Sequence, residues 1–443
     1  MFKKLIHLEK PFDFFKSGGC WFVSVLVLSA AIRLYLVIFT EGTYDVEIWR
    51  HHAQEIQRIG LIEYYRVSLG NYNHPPVMGT IAAFCLSLSE WLTIPFKVLF
   101  RLLFALQDFL IAFYMMKIFT INKYKYIQTS FYLLCPITFI LSSYHGNTDS
   151  SVGLFALAGL YYLSINKYII AGIILGTGTW VKWIIALTLP VIFFSILSFK
   201  NKMRFLISFG VASIAGYLWA MTQDPYVVFK NVFGYGGSMI QTTAGIPVWG
   251  NRILYAYAAK FYIKVFSFPT SMHFNKWINL CVMNNKVIVF AAVILYAWLR
   301  RHRRSAVDIG RTLGETFCIF FGLSNFWSFQ YFAWAVPFWL FLETRLALAV
   351  YLLTTIYIYL LYSFVCRSYF FLGEWDFIGH PYLSGSILFF RDSCILLFVA
   401  STVYFFGKAF YRFFTVPSPG ETLSRHCLPA GRQGDQASSR FGI

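Results

Sequence analysis

The sequence predicts an all-α, polytopic membrane protein, and three observations carry this prediction. The 443-residue chain is 58% apolar and only 13% charged, whereas an average soluble domain is about 25% charged. Apolar runs recur from residue 20 to residue 407, many of them near the ~20 residues that a helix needs to cross the hydrocarbon core. Basic residues lie in short clusters between these runs. This pattern excludes a soluble fold.

The basic clusters set the predicted orientation. Cytoplasmic loops carry an excess of Lys and Arg, so we expect the clusters to face the cytoplasm and attribute the net charge of +18 to topology rather than to nucleic-acid binding. Residues 41–76 then lie outside, and they carry five acids against three arginines. The clusters are Lys3, Lys4, Lys10 and Lys16; Lys117, Lys123 and Lys125; Lys200, Lys202 and Arg204; Arg300, Arg301, Arg303 and Arg304; Lys408 and Arg412.

One apolar stretch does not fit as an ordinary crossing. Two full crossings between residues 77 and 119 would place Lys123 and Lys125 outside, although basic residues favour the cytoplasmic side. Val77–Trp91 is short and lies between Pro76 and Pro95. We therefore predict a re-entrant or interfacial helix there that forms the wall of a cavity.

The other apolar stretches predict about twelve transmembrane helices, in one domain over 20–407 in the cytoplasmic (inner) membrane. We expect 1–19 to be a cytoplasmic N-terminus, 41–97 and 222–285 to be extracytoplasmic loops, and 408–443 to be a disordered cytoplasmic tail. The predicted crossings are 20–40, 98–119, 127–143, 150–165, 168–181, 183–199, 205–221, 286–300, 312–326, 330–343, 345–363 and 385–407.

The first outside loop holds the candidate catalytic base. Apolar residues recur at helical spacing from Val46 to Ile56, and Gly60 ends the pattern, which predicts an amphipathic helix lying on the membrane. Asp45 stands at its start, where a carboxylate either caps free N–H groups or accepts a proton from a hydroxyl. The pattern favours neither. Glu47, two residues further, is either a solvated helix residue or a contact to substrate.

Four further polar residues lie in this loop or in the two predicted spans that flank it. His74, in the sequence Tyr-Asn-His-Pro-Pro, is either a turn residue or part of a substrate site. Arg33 and Asp108 fall near mid-membrane, where isolated charges cost roughly 3 kcal/mol or more, so we predict that they pair. Arg101, on the same helix as Asp108 and nearer the outer surface, is a candidate for holding a phosphate.

A second polar turn, Tyr-His-Gly-Asn-Thr-Asp-Ser at 144–150, brings in His145 and Asp149. Asp149 either caps the following helix or is a second catalytic acid. Asp45 and Asp149 either share a divalent metal, since hard cations prefer oxygen ligands, or divide base and positioning roles without one. The eight cysteines show no metal-ligand spacing, and we predict no cofactor.

Three other segments carry candidate substrate contacts. Lys182 lies between two tryptophans at an outside turn, where it either extends its amine to the interface or clamps a phosphate. Arg252 ends a glycine-containing stretch of the long 222–285 loop. Gln330 and Tyr331 stand among aromatic residues that form either a sugar-binding platform or an interfacial belt.

Together these motifs resemble those of the GT-C glycosyltransferases. They are an acid just after the first span, Tyr-Asn-His-Pro-Pro, Arg101 with Asp108, His-Gly-Asn-Thr-Asp, and Gln-Tyr-Phe-Ala-Trp. The nearest subgroup is similar to the polyprenyl-phosphate-hexose-dependent glucosyl- and mannosyltransferases of N-glycan and GPI precursor assembly and their bacterial relatives. The similarity covers residues 20–345. The chain departs from it in reading Asp-Val-Glu for a bare acid and Tyr-Asn-His-Pro-Pro for the commoner Tyr-Pro-Pro.

The resemblance implies an inverting hexosyltransferase with an extracytoplasmic active site, Asp45 as its base and Asp149 as its second acid. The donor would be a polyprenyl-phosphate hexose, and the acceptor a lipid-linked or cell-envelope glycan. Membrane lipid would surround the protein. Lys182, Arg252 and Arg101 would stabilise the departing phosphate. The alternative is a transporter or flippase of lipid-linked sugars, because charges inside a helix bundle also mark substrate pathways.

Overall fold

The computed structural model describes residues 19–68, 71–119, 125–234, 284–302, 305–324, 327–377 and 383–415. Every regular element within these ranges is helical, which confirms the predicted all-α fold. The elements are α1 (Gly19–Phe39), α2 (Tyr44–Ile59), α3 (Leu61–Val67), α4 (Pro76–Leu92), α5 (Phe96–Ile118), α6 (Lys125–Leu134), α7 (Pro136–Phe139), a π-helix (Ile140–His145), α8 (Asp149–Ser164), α9 (Tyr168–Gly178), a 3-10 helix (Trp183–Thr188), α10 (Leu189–Ser195), α11 (Phe199–Met221), α12 (Pro225–Val232), α13 (Asn285–Leu299), α14 (Ala306–Leu323), a 3-10 turn (Phe329–Tyr331), α15 (Phe332–Trp339), α16 (Thr344–Val365) and α17 (Gly385–Thr415).

Five of these helices are long and apolar enough to cross a bilayer, and they are α1, α5, α11, α16 and α17. In length and composition these helices match those of a helical membrane protein. The other predicted crossings also form helices, but shorter ones: α9 has 11 residues and α13 has 15, against the ~20 needed for a perpendicular crossing. The count of about twelve crossings stays a prediction.

The predicted boundary of the C-terminal tail at residue 408 is wrong. Helix α17 has 31 residues and ends at Thr415, because Phe405 and Ala409 extend its buried apolar face. Lys408 lies within this helix, and its Nζ is 2.5 Å from Oε1 of Glu343. Residues 416–443, like 1–18 and 235–283, lie outside the described residues.

Helices α2, α3 and α4 form a layer, called here the α2–α4 layer, that shares a hydrophobic core with residues of α5, α11 and α12. The amphipathic α2 is confirmed: Val46, Trp49 and Ile56 are buried on one face, and Gly60 ends the helix with a φ of 83° that favours glycine. Helix α4 packs closely beneath it, since a Cβ at Gly79 would lie 3.0 Å from Cδ1 of Ile56. The helix predicted over 77–91 is thus present.

The predicted crossing over 127–143 is interrupted, and the interruption positions polar groups. Pro136 has no N–H and breaks α6 from α7. The chain then widens into a π-helix that ends at His145. This form is rare overall, but where it occurs it is often at a functional site. Gly146 follows with a φ of 66°, which turns the chain sharply toward Asn147.

The predicted pairing of Arg33 with Asp108 is confirmed. Arg33 Nη2 lies 2.9 Å from Asp108 Oδ2, and their side chains are only 2% and 1% exposed. Asp108 also accepts hydrogen bonds from the hydroxyls of Tyr132 at 2.9 Å and Ser142 at 2.6 Å. The pair thereby joins α1 and α5 to the interrupted segment that carries the second polar turn.

Removing one member of this pair should destabilise the fold strongly. Asp108→Ala leaves the Arg33 guanidinium buried without its counter-ion, a loss of about 3 to 5 kcal/mol, measured as the free energy of unfolding in mixed micelles. Arg50→Ala is the control, because the Arg50–Glu47 pair is about half exposed and such pairs contribute about 0 to 1 kcal/mol. The double variant Arg33→Met/Asp108→Leu should lose less than Asp108→Ala; a larger loss would contradict this account.

Candidate functional site

A cavity of about 370 Å3 lies between the α2–α4 layer and the ends of α13, α14 and α15. Its polar side is formed by charged, amide and ring side chains, and its other side by aliphatic and aromatic ones. The polar lining consists of Asp45, His52, Asn71, Asn73, His74, Asn147, Lys182, Asn285, Lys286, Ser324, Gln330 and Tyr331. The apolar lining includes Ile184, Leu187, Val232, Val289, Phe290 and Phe320.

Asp45 is held by the second polar turn. Its Oδ2 lies 2.9 Å from Nε2 of His145 and 3.1 Å from Nδ2 of Asn147. The N-cap of α2 is Thr43, and no side chain makes a capping bond there. The capping interpretation of Asp45 is therefore wrong, and its carboxylate, about a third exposed, faces the cavity.

The electrostatic surroundings keep Asp45 ionised. Burial raises the pKa of this carboxyl, but the hydrogen bond with the His145 ring and the positive charge of Lys182 lower it by more than burial raises it. The net pKa lies below the usual value of an aspartic acid. The group is thus a carboxylate at neutral pH and able to accept a proton.

Behind Asp45, His145 is fixed from its other side. The ring is 1% exposed, and its Nδ1 lies 2.7 Å from the hydroxyl oxygen of Tyr362, which is itself fully buried. Tyr362 could not be identified from its local sequence, because it stands 217 positions after His145 in an apolar helix rich in tyrosine. His145 does not line the cavity, so its predicted contact with substrate is replaced by contact with Asp45.

Asp149 does not reach the cavity, in contrast to the prediction that it is a catalytic acid. It is 2% exposed, and its Oδ1 accepts hydrogen bonds from Lys182 Nζ at 2.5 Å and Trp334 Nε1 at 2.5 Å. It makes no capping bond either. Asp149 is a buried counter-ion that positions Lys182.

Lys182 lines the cavity with its ammonium group held in place. The Nζ lies 5.1 Å from the centre of the Tyr331 ring and 5.5 Å from that of Trp334, within the range of cation–π attraction. Its side chain is 17% exposed, so it does not extend into solvent. Lys182 is a fixed positive charge at the cavity surface.

The two acids therefore have separate partners, and the geometry gives no support to a metal shared between Asp45 and Asp149. Within the described ranges no group of three or more His, Cys, Asp or Glu side chains is close enough to hold an ion.

Aromatic faces complete the predicted substrate contacts. Gln330 and Tyr331 line the cavity, and Tyr331 stacks on Trp334 with ring centroids 4.2 Å apart. The ring of His74 packs against that of Trp49, with ring centroids 4.2 Å apart. Burial, and then the positive charge of Lys182, lower the pKa of His74 well below its usual value, so this ring is neutral at physiological pH.

Arg101 was predicted to hold a phosphate, and the structure corrects this. Its guanidinium is fully buried and donates to the carbonyls of Leu36 at 3.1 Å, Val37 at 2.7 Å and Thr40 at 2.7 Å. These are the carbonyls that the end of α1 leaves without helical partners. Arg101 thus closes the last turn of α1, because the N–H donors of a guanidinium bond to carbonyl oxygens as well as to phosphate oxygens.

The same side chain positions both segments that hold the carboxylate. A Cβ at Gly42 would lie 2.9 Å from Nη1 of Arg101, and a Cβ at Gly146 would lie 2.3 Å from its Cγ. Both glycines have positive φ, 81° and 66°. Glycine at these two positions lets the chains leading to Asp45 and following His145 approach Arg101 closely.

Two further predictions do not agree with the cavity lining, those for Glu47 and for helix α4. A third, for Arg252, cannot be compared with it. Glu47 is exposed and pairs with Arg50 at 2.7 Å. Helix α4 packs under α2 and contributes no residue to the lining, so the wall predicted there is formed by the loop 71–75 instead. Arg252 lies outside the described residues.

Sequence reasoning missed Lys286, which lines the cavity at the start of α13. A lysine at the edge of a predicted crossing resembles an ordinary interfacial residue, so only the fold reveals it. Val289 and Phe290 follow one turn later on the same helix, just as Ile184 and Leu187 follow Lys182. Two elements thus present a cation first and apolar side chains next, which suits a ligand with an anionic head and an apolar tail.

No family model matches the chain, and no curated protein matches it. The likeness to the GT-C glycosyltransferases therefore rests on the short motifs alone.

The pH dependence of stability should report the buried His52. Burial, then the neighbouring His51, lower its pKa to about 4, below the value of about 6.5 in an unfolded chain. The unfolded state therefore binds the extra proton first, and stability is lost as the pH falls from 6.5 toward 4. At pH 5 this costs about 2 kcal/mol, seen as a lower melting temperature than at pH 7.

The His52→Gln variant should lose less stability between pH 7 and pH 5 than the wild type. His51→Gln is the matched control, because His51 is exposed and contributes less than burial to the lowered pKa of His52, so its replacement should keep most of the wild-type loss. Equal losses in the wild type and in His52→Gln would refute the assignment.

Proposed function

We propose that the protein is an inverting glycosyltransferase that moves a hexose from a polyprenyl-phosphate donor to a lipid-linked or cell-envelope glycan. One observation carries the proposal: the ionised carboxylate of Asp45 faces a cavity that also holds the fixed cation Lys182 and an apolar wall. Its Oδ2 takes the hydrogen bonds of His145 and Asn147. Its Oδ1 accepts none from a described residue and is available to a ligand.

The proposed step is a single displacement. The oxygen of an acceptor hydroxyl forms a bond to the anomeric carbon while the bond from that carbon to the phosphate oxygen breaks, which inverts the configuration. Asp45 takes the hydroxyl proton, since an alcohol is a poor nucleophile at neutral pH. The bonding electrons leave with polyprenyl phosphate, a stable anion that needs no general acid.

Lys182 supports the departing group. Charge grows on the phosphate as its bond to the sugar breaks, and a cation already in position stabilises it without reorganisation. Asp149 and the rings of Tyr331 and Trp334 fix that cation. Lys286 lines the same cavity, and the apolar residues beside both lysines suit the first isoprene units of the lipid.

The proposal includes a location. With about twelve crossings in the cytoplasmic membrane, the basic clusters face the cytoplasm. The cavity and the α2–α4 layer then lie at the extracytoplasmic face, where lipid-linked sugars are presented after translocation.

The decisive variant is Asp45→Asn. Purified protein in liposomes, given polyprenyl-phosphate mannose or glucose and lipid-linked glycan acceptors, should transfer the hexose. The amide cannot accept the proton, so we expect the rate of transfer to fall between about 100- and 10,000-fold, with donor binding retained.

Glu47→Gln is the matched control, because among the described residues this exposed acid of the same helix pairs with Arg50 alone. The variant should transfer at the wild-type rate. Transfer by Asp45→Asn at the wild-type rate would refute its role as base. Movement of the donor across the liposome membrane without transfer would refute the enzyme and favour the transporter.

Lys182 should govern how efficiently the donor reacts. Because Lys182→Met alone would leave Asp149 buried without its partner, the test uses Lys182→Met/Asp149→Asn, which removes both charges. We expect kcat/KM for the donor to fall about 10- to 100-fold, measured by initial rates over a range of donor concentrations. Lys230→Met, an exposed lysine outside the cavity, should leave it unchanged; an unchanged value in the double variant would contradict the phosphate contact.

A further inference from the structure

The hydroxyl of Tyr362 is in an unusual position for a residue of an apolar helix. It is fully buried, and among the described residues its one hydrogen-bond partner is Nδ1 of His145, at 2.7 Å. The opposite nitrogen of that ring, Nε2, lies 2.9 Å from Oδ2 of Asp45. Tyrosine, histidine and aspartate therefore form one chain of hydrogen bonds that ends at the cavity.

The position of each hydrogen in this chain follows from counting donors. A buried O–H that donates to nothing costs about 1 to 3 kcal/mol, and the described surroundings of Tyr362 offer it no acceptor other than Nδ1. The hydroxyl therefore donates to Nδ1, which must be unprotonated to accept. The single ring hydrogen then lies on Nε2 and points at the carboxylate of Asp45.

We propose that Tyr362 is a positioning residue that fixes His145 as the neutral tautomer with its hydrogen on Nε2. This proposal rests on the proposed function only for its effect on transfer. With the tautomer fixed, Oδ2 of Asp45 is always occupied by an N–H donor. Oδ1 is then the oxygen left to accept the proton of the acceptor hydroxyl.

The neutral state of the ring matters as much as its orientation. An imidazolium beside Asp45 would form an ion pair, which makes the carboxylate a weaker base. A neutral ring donates one hydrogen bond and adds no full charge. Tyr362 thereby keeps the base oriented without reducing its affinity for a proton to that of an ion-paired carboxylate.

Nitrogen NMR of ring-labelled histidine in the reconstituted protein at pH 7 tests the tautomer without reference to transfer. The His145 signals, identified by their loss in His145→Gln, should show a protonated Nε2 and an unprotonated, hydrogen-bonded Nδ1. In Tyr362→Phe the Nδ1 signal should move. Tyr357→Phe is the matched control, because Tyr357 is a buried tyrosine of the same helix whose hydroxyl has no described hydrogen-bond partner, and it should leave both signals in place.

Transfer kinetics test the consequence. Tyr362→Phe should lower kcat about 10- to 100-fold, the effect of a small displacement of a catalytic group, with KM for donor and acceptor unchanged. In a His145→Gln background, where the amide donates to Asp45 and has no tautomer to fix, the same substitution should change kcat less than twofold.

An imidazolium or an Nδ1-protonated ring in the wild type would overturn the proposal, as would an unchanged His145 spectrum in Tyr362→Phe. Additive effects of the two substitutions on kcat would also overturn it, because residues that act through one another are not additive. If no donor supports transfer, the proposed function fails while the spectra still decide the tautomer.

Discussion

The site depends on one buried guanidinium. Arg101 satisfies the carbonyls at the end of α1 at 2.7 to 3.1 Å, and its aliphatic part occupies the space beside Gly146. The chain that leaves α1 reaches Asp45 within a few residues, and the chain before Gly146 ends at His145. A single side chain therefore sets the distance between the carboxylate and its hydrogen-bond donor, although it touches neither the cavity nor the proposed ligand.

The wrong predictions at the site share a physical cause. A sequence shows that Arg101 and Asp149 are polar groups in apolar surroundings, which must find partners, but not whether the partner is a ligand or the protein itself. Backbone carbonyls satisfied the first and a lysine the second. Lys182 was predicted as a candidate because its turn lies between crossings, and it proved to line the cavity because its counter-ion keeps it there.

The fold was predictable where periodicity is strong. The amphipathic α2 and the pair of Arg33 with Asp108 follow from helical spacing and from the cost of an unpaired charge in the membrane. The π-helix before His145 could not be foreseen, because nothing in residues 140–145 distinguishes it from an ordinary helical turn. Tyr362 escaped notice for a related reason: contacts between distant helices leave no local pattern.

The central claim is that one cavity places a lipid phosphate at Lys182 and an acceptor hydroxyl at Oδ1 of Asp45. The most direct test is a cryo-electron microscopy structure with a phosphonate analogue of a polyprenyl-phosphate hexose, which cannot be cleaved. The account predicts the phosphonate oxygens within hydrogen-bond distance of Lys182 Nζ, the lipid along Leu187 and Phe290, and the anomeric carbon facing Oδ1 of Asp45. An analogue bound elsewhere, or bound in this cavity with its sugar turned away from Asp45, would contradict it.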